Sequence, residues 1–561
     1  MKQQRSWLTI LAVGLVALLL VGVGSVYWFG GRSSVKLITG SKSTPTASLF
    51  VPENTLMMAS LLVNPDQLEA AQQLLGQPGS GSRGQQNEVQ RFKDLVLSGT
   101  ELNYKRDIRP WLGNEVTLAL MTMDIDRDPK NGEQAGYLFA ATTKDAELSQ
   151  TKLKEFWQRQ QSKGEDIISE QYKGIPLSYR QPQPGQLPQT LSTATFGNRF
   201  VLFANSPKVL REAINNVQAP SLSLERSVVY RRALQDLGGG QLGFIFLNLG
   251  SWGLNLLPEN AVATPQPSLA LSLGVNPGGL LAETALFNSE IFSEESIAAS
   301  LTQPVSLLKY VTSASPLVIA GTDLSHLWSQ VETVMATTPQ LKILIDQPLA
   351  AVQDLSGLDL PQDIFSWVTG EYALALLPRM DRAQPDWMFV TQRSAEAETA
   401  IQNLDQMAVE QGYNLGQLQL DENALSVWTR LDSIAEEPSE LDPDNKIIKA
   451  NAVGAHMTLE NYEIFATSIE ALDNALDATE AGDLLQNAEF KAGLEQLPPE
   501  NDGYLFLNWQ TSRKILKQQI PLLKIVELAA KSIFDHLRAI TVTSTGTVEG
   551  VKRASAFIQL R

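Results

Sequence analysis

The chain has 561 residues, 43% of them apolar and none of them cysteine. That leaves room for two ordinary domains and excludes disulfide staples, thiolate metal sites and cysteine nucleophiles. Its 61 acidic and 44 basic side chains give a net charge of −17, which opposes nucleic-acid binding and adhesion to an anionic bilayer surface.

The first 31 residues are a different material from the rest. Lys2 and Arg5 precede an uncharged run from 7 to 29, and these 23 residues span ~34 Å as a helix, enough to cross a bilayer. The run is longer than the core of a cleaved signal peptide and closes on Tyr27, Trp28 and Phe29, an aromatic belt suited to a headgroup boundary. We therefore expect an uncleaved signal anchor at 1–31. Arg32, Lys36 and Lys42 balance Lys2 and Arg5, so charge alone does not orient it. A very short positive tail ahead of a first hydrophobic segment favours a cytoplasmic amino terminus, and the absence of cysteine agrees with an exported body. The first 42 residues carry five basic and no acidic side chains, which leaves −22 on the body.

A Gly-, Ser- and Thr-rich tether at 32–46 follows. Beyond it, Asp107-Ile-Arg-Pro-Trp-Leu-Gly-Asn-Glu at 107–115 matches Asp363-Ile-Phe-Ser-Trp-Val-Thr-Gly-Glu at 363–371, about 256 residues later. After each stretch the pattern predicts a strand (116–123 and 372–377), a second strand (137–142 and 387–391) and a helix (145–161 and 395–410). Leu148, Phe156 and Trp157 face inward on the first helix; Ile401, Leu404 and Met407 do so on the second. The block 198–206 then pairs with 461–468, and Ser206 and Ser468 each cap a following helix. Tyr230, Leu234, Leu237, Gly243, Phe246, Leu247 and Asn248 correspond to Phe490, Leu494, Leu497, Gly503, Phe506, Leu507 and Asn508 at a constant offset of 260. Hairpins over 270–287 and 540–558 close the two stretches. Polar insertions at 76–87, 181–189 and 436–445 read as loops.

These correspondences predict two tandem homologous domains, 47–292 and 305–561, joined by a linker at 293–304. Strand pairs joined by short turns, with helices between them, predict an α+β fold: each domain a mainly antiparallel sheet with helices on one face.

No catalytic, cofactor or metal residue is assigned. His326, His456 and His536 are scattered and none has metal-ligand spacing. No serine lies in a Gly-x-Ser-x-Gly spacing, against a serine-hydrolase elbow. The glycines at 238–240 precede a strand, whereas a dinucleotide fingerprint follows one. Asp107 with Glu115, and Asp363 with Glu371, are carboxylate pairs able in principle to do acid and base work. We read them as architecture instead: an Asp that starts a helical turn, Trp111 or Trp367 packed beneath it, and a buried Glu whose backbone hydrogen bonds brace that turn against the sheet.

The anchor, the Asp-Ile-x-Pro-Trp-Leu-Gly-x-Glu segment and the Asn-Arg-Phe-Val-Leu-Phe-Ala block at 198–204 resemble an uncharacterised family of cyanobacterial membrane-anchored proteins, known only as a domain of unknown function. The second stretch departs from the pattern with Phe365-Ser366 and Thr369-Gly370. The resemblance implies a photosynthetic bacterial membrane, with the body in the periplasm or thylakoid lumen, and brings no catalytic residues. The expected function is that of a non-enzymatic binding or scaffold protein with a protein partner near the membrane, assisting envelope or thylakoid complexes. The alternative is a carrier holding a lipid or other apolar ligand between sheet and helices.

Overall fold

The computed structural model describes residues 43–64, 101–128, 134–181, 190–238, 242–249, 267–287, 301–337, 359–377, 385–435, 446–519, 536–548 and 550–560, with single residues at 350, 353, 379 and 534. The expected anchor, most of the tether and nearly all of the three polar insertions lie outside the described residues. No described helix is long and apolar enough to cross a membrane.

The architecture is α+β and the sheet antiparallel throughout. The first half supplies β1 (Met57–Leu61), β2 (Leu112–Thr122), β3 (Gly136–Thr143), β4 (Ile167–Tyr172), β5 (Ile175–Arg180), β6 (Ser192–Phe196), β7 (Phe200–Ala204), β8 (Gly243–Asn248), β9 (Ser268–Asn276) and β10 (Gly279–Phe287). The second supplies β11 (Leu317–Thr322), β12 (Glu371–Leu377), β13 (Asp386–Gln392), β14 (Asn414–Leu420), β15 (Asn423–Ala435), β16 (Lys446–Leu459), β17 (Tyr462–Ala466), β18 (Gly503–Asn508), β19 (Leu537–Val548) and β20 (Val551–Leu560). Pairing runs β4-β5-β6-β7-β3-β2-β1-β8-β9-β10 and continues through β20-β19-β18-β11-β12-β13-β17-β16-β15-β14. The order is the same read outward in either direction from the β10–β20 pair.

Register repeats along with order. Leu61 lies opposite Gly243 as Gly321 lies opposite Gly503, and Leu138 meets Ala204 as Met388 meets Ala466. At the central pair Gly279 faces Gln559, and a Cβ added to this glycine would collide with the Ile558 carbonyl oxygen, so the close approach requires glycine.

Among the described residues the helices of the first half are α1 (Ala146–Ser162), α2 (Pro207–Gln218) and α3 (Val228–Asp236); those of the second are α4 (Leu324–Thr337), α5 (Ala395–Glu410), α6 (Ile469–Ala481), α7 (Ala488–Leu494) and α8 (Trp509–Gln519). Ser206 caps α2 through the Lys208 N–H, and Ser468 caps α6 through the Ala471 N–H. Both caps satisfy a first-turn donor that the helix itself leaves unpaired.

Helices cover both faces, which corrects the expectation of one covered face. Every residue of β7 is buried. Because successive side chains of a strand point to opposite faces, such a run needs cover on each side. Phe200, Leu202 and Ala204 pack with Val209, Leu210, Ala213 and Ile214 of α2, while Val201 and Phe203 pack with Leu153, Phe156 and Trp157 of α1. In the second half Ile464 and Ala466 pack with Leu472 and Ala475 of α6, and Phe465 packs with Ile401 and Leu404 of α5.

The halves also share a core. Leu273, Val275 and Leu280 from the first half cluster with Trp509, Leu537 and Leu560 from the second, and Arg553 donates to Asp236 at 2.7 Å across the junction. The second half's contacts begin inside the expected linker, where Leu301 exchanges backbone hydrogen bonds with Asn501.

Candidate functional site

Among the described residues each half contains one π-helical turn ahead of a strand, Tyr104–Ile108 and Leu360–Ile364. In the first, the Asn103 side chain accepts from the Arg106 N–H at 3.0 Å, and Asp107 reaches back to accept the Asn103 N–H at 2.9 Å. Asp363 likewise accepts the Asp359 N–H at 2.8 Å. The aspartate therefore sits within the turn and closes it from behind, where the sequence suggested that it starts it. In both turns the tryptophan indole donates to the carbonyl of that aspartate at 2.6 Å, Trp111 to Asp107 and Trp367 to Asp363.

The glutamates brace a different element from the one expected. Glu115 accepts the Ala47 N–H at 2.8 Å and the Thr46 hydroxyl at 2.5 Å, and so holds the 3-10 turn Ala47–Phe50 where the chain enters the sheet. Glu371 accepts the Ser306 hydroxyl at 3.0 Å, at the start of the corresponding turn Ser306–Tyr310. Asp107 and Glu115 do not converge on a shared partner, so the geometry gives no acid–base pair.

What surrounds the two aspartates differs. Burial alone would push the Asp107 carboxyl up, but hydrogen bonds from Arg106, the Asn103 backbone and Arg159 outweigh it and hold the carboxyl below the usual aspartate value. Arg159 comes from α1, donates at 2.6 Å and lies over the Phe156 ring. The buried positions Ser149, Leu153, Phe156 and Gln160 of α1 recur as Ala397, Ile401, Leu404 and Ala408 of α5. That register places Met407 where the first half has Arg159, and Gln362 stands in the turn where it has Arg106. Asp363 forms no ion pair among the described residues.

A cleft of about 560 Å³ opens at that place, between the second turn and α5. Asp363, Trp367, Leu404 and Met407 line it, with Gln362 and Glu396 beside them. Trp111 is wholly buried and stacks on Phe203, whereas Trp367 is half-buried on the cleft wall, short of the core anchor expected. Met407, expected to face inward, is likewise half-buried against the cleft.

A second polar arrangement escaped the sequence. Asp405 of α5 accepts the Trp428 indole N–H at 2.7 Å and lies 3.0 Å from His456 Nε2. His456 stacks on Phe465. The first half makes the same helix-to-sheet tie with Trp157 donating to Thr193 at 2.9 Å. Spacing offered no signal, because Asp405 and His456 lie 51 residues apart. No group of three or more potential metal ligands occurs among the described residues.

The extent of the sequence match settles the family. The chain belongs to the family described as Protein of unknown function (DUF3352). The match covers residues 11–560, beginning inside the apolar segment and ending at the last strand. A comparison with curated proteins finds no match. Among solved structures the chain is similar to crystal form I of TP0453, with 12% identity, 44% of this chain and 80% of that chain covered, and a TM-score of 0.23, a likeness that supports no statement about either protein's fold.

Proposed function

We propose that this member of the DUF3352 family is a membrane-anchored, extracytoplasmic binding or scaffold protein with no catalytic step of its own, and that its body arose by internal duplication. The apolar run at 7–29 supplies the anchor, and its aromatic end and short basic tail support a body in the periplasm or thylakoid lumen of a cyanobacterial cell. The duplication is supported by the pairing order, by the matched registers and by the aromatic pairs Tyr230–Phe246 and Phe490–Phe506, each with centroids 5.4 Å apart and edge-to-face.

One observation favours a scaffold over a carrier. Among the described residues the space between sheet and helices is filled, with Phe156 and Phe490 of the helices and Phe244, Phe246 and Phe506 of the strands fully buried, and the cleft described above is open and carries carboxylates. An apolar ligand needs an enclosed apolar space. A protein partner needs an accessible surface, and Leu415, Leu418 and Leu431 on β14 and β15 are exposed at one end of the sheet.

Purification of the full chain from its native membrane, with lipid and protein mass spectrometry on the same eluate, tests this reading. We expect a reproducible protein partner in near-stoichiometric yield and no enriched lipid. A stoichiometric lipid without a partner would establish the carrier instead, and neither would overturn both. Because the chain lacks cysteine, Val228→Cys at a 71% exposed position provides a single thiol for topology. It should react with an impermeant maleimide only from the extracytoplasmic side.

A further inference from the structure

We propose that the cleft between the second π-helical turn and α5 receives an arginine side chain presented by a partner protein. The inference rests on the binding reading above and names the chemistry of the contact. The first half shows what the place accepts: Arg159 lays its guanidinium on Asp107 and its body on Phe156. The second half keeps the receptor. Asp363 is held by the same backbone N–H, four residues back, and its carbonyl by the same indole. Leu404 stands in for Phe156 as the apolar floor, and Trp367 forms a wall. What is missing is the cation, since Met407 and Gln362 replace Arg159 and Arg106.

A carboxylate on an apolar floor suits a guanidinium better than any other side chain. Its planar fork can bond the carboxylate bidentately, its stem covers Leu404 and Met407, and its face can stack on the Trp367 indole. Glu396 beside the cleft adds a second negative charge, and the body's charge of −22 draws a basic partner towards it. A fatty acid or anionic headgroup meets a like charge at the same place.

The test uses the full chain in detergent and a fluorescent tripeptide, acetyl-Leu-Arg-Leu-amide, read by anisotropy. Saturable binding is expected. Replacing the arginine by citrulline, which keeps the shape and removes the charge, should weaken it about 10-fold to 100-fold, and Asp363→Asn should do the same. Binding within about twofold of the original in both cases would overturn the proposal, as would no saturable binding of the arginine peptide. The citrulline arm needs no variant, so a misfolded Asp363→Asn does not obscure the result. A peptide that fails while the native eluate still holds a partner removes the cleft and leaves the scaffold reading in place. The converse pair of results does the opposite.

Discussion

Asp107 and Asp363 occupy the same kind of turn, each taking a backbone N–H four residues back and each lending its carbonyl to a tryptophan indole. Around Asp107 two arginines close the turn and Trp111 is sealed from water; around Asp363 neither arginine is present, Trp367 is half-exposed and a cleft remains. The comparison separates what the turn requires from what varies around it. Its backbone needs only the aspartate and the tryptophan, which both halves keep. The charges that neutralise Asp107 are an addition, and where they are absent the same turn becomes a surface able to meet another molecule.

The largest contrast should appear at the tryptophans. Trp111→Ala removes a fully buried ring and should cost about 3–5 kcal/mol in urea unfolding, whereas Trp367→Ala should cost about 1–2 kcal/mol. Equal losses would break the contrast between a closed and an open turn. Next come the aspartates. Asp107→Asn leaves two guanidinium groups without their shared carboxylate, and because both arginines are partly exposed the loss should be about 1–3 kcal/mol. Asp363→Asn should stay within about 0.5 kcal/mol, because it breaks no ion pair among the described residues.

The same pair predicts a pH dependence. The folded-state pKa of Asp107 is depressed, so its contribution is complete above the unfolded aspartate value of about 4 and is lost as pH falls through the lower folded value. The stability difference between the wild type and Asp107→Asn should therefore close in that acid window, as followed by melting temperature against pH. Smaller still are the helix caps. Ser206→Ala and Ser468→Ala should each cost about 1 kcal/mol, with Ser468 the more sensitive because its hydroxyl also donates to Asp386 at 2.9 Å. The exposed cross-junction pair is also minor, and Arg553→Met should cost no more than about 1 kcal/mol.

Much of the framework was legible in the sequence because it is local. Serine ahead of an apolar helical face predicted both caps, and the offset of 260 aligned Tyr230 and Phe246 with Phe490 and Phe506, which the fold then packs edge-to-face in each half. The two-sided cover was misread although its signal was present: Phe200-Val-Leu-Phe-Ala is apolar at every position, which a strand exposed on one side does not need. The β10–β20 junction left no comparable mark, since alternation shows that an edge can pair and not which edge it meets. Arg159 reaches Asp107 over 52 residues, as His456 reaches Asp405 over 51, and no spacing rule reports contacts that the fold alone creates.

The affinity of Met407→Arg for the arginine tripeptide tests most directly the claim that the two turns are one device, closed in the first half and open in the second. The account predicts that the new guanidinium takes the place on Asp363 that Arg159 holds on Asp107, so that peptide binding falls about tenfold or more while the melting temperature rises. An unchanged affinity in a variant that still folds would contradict it.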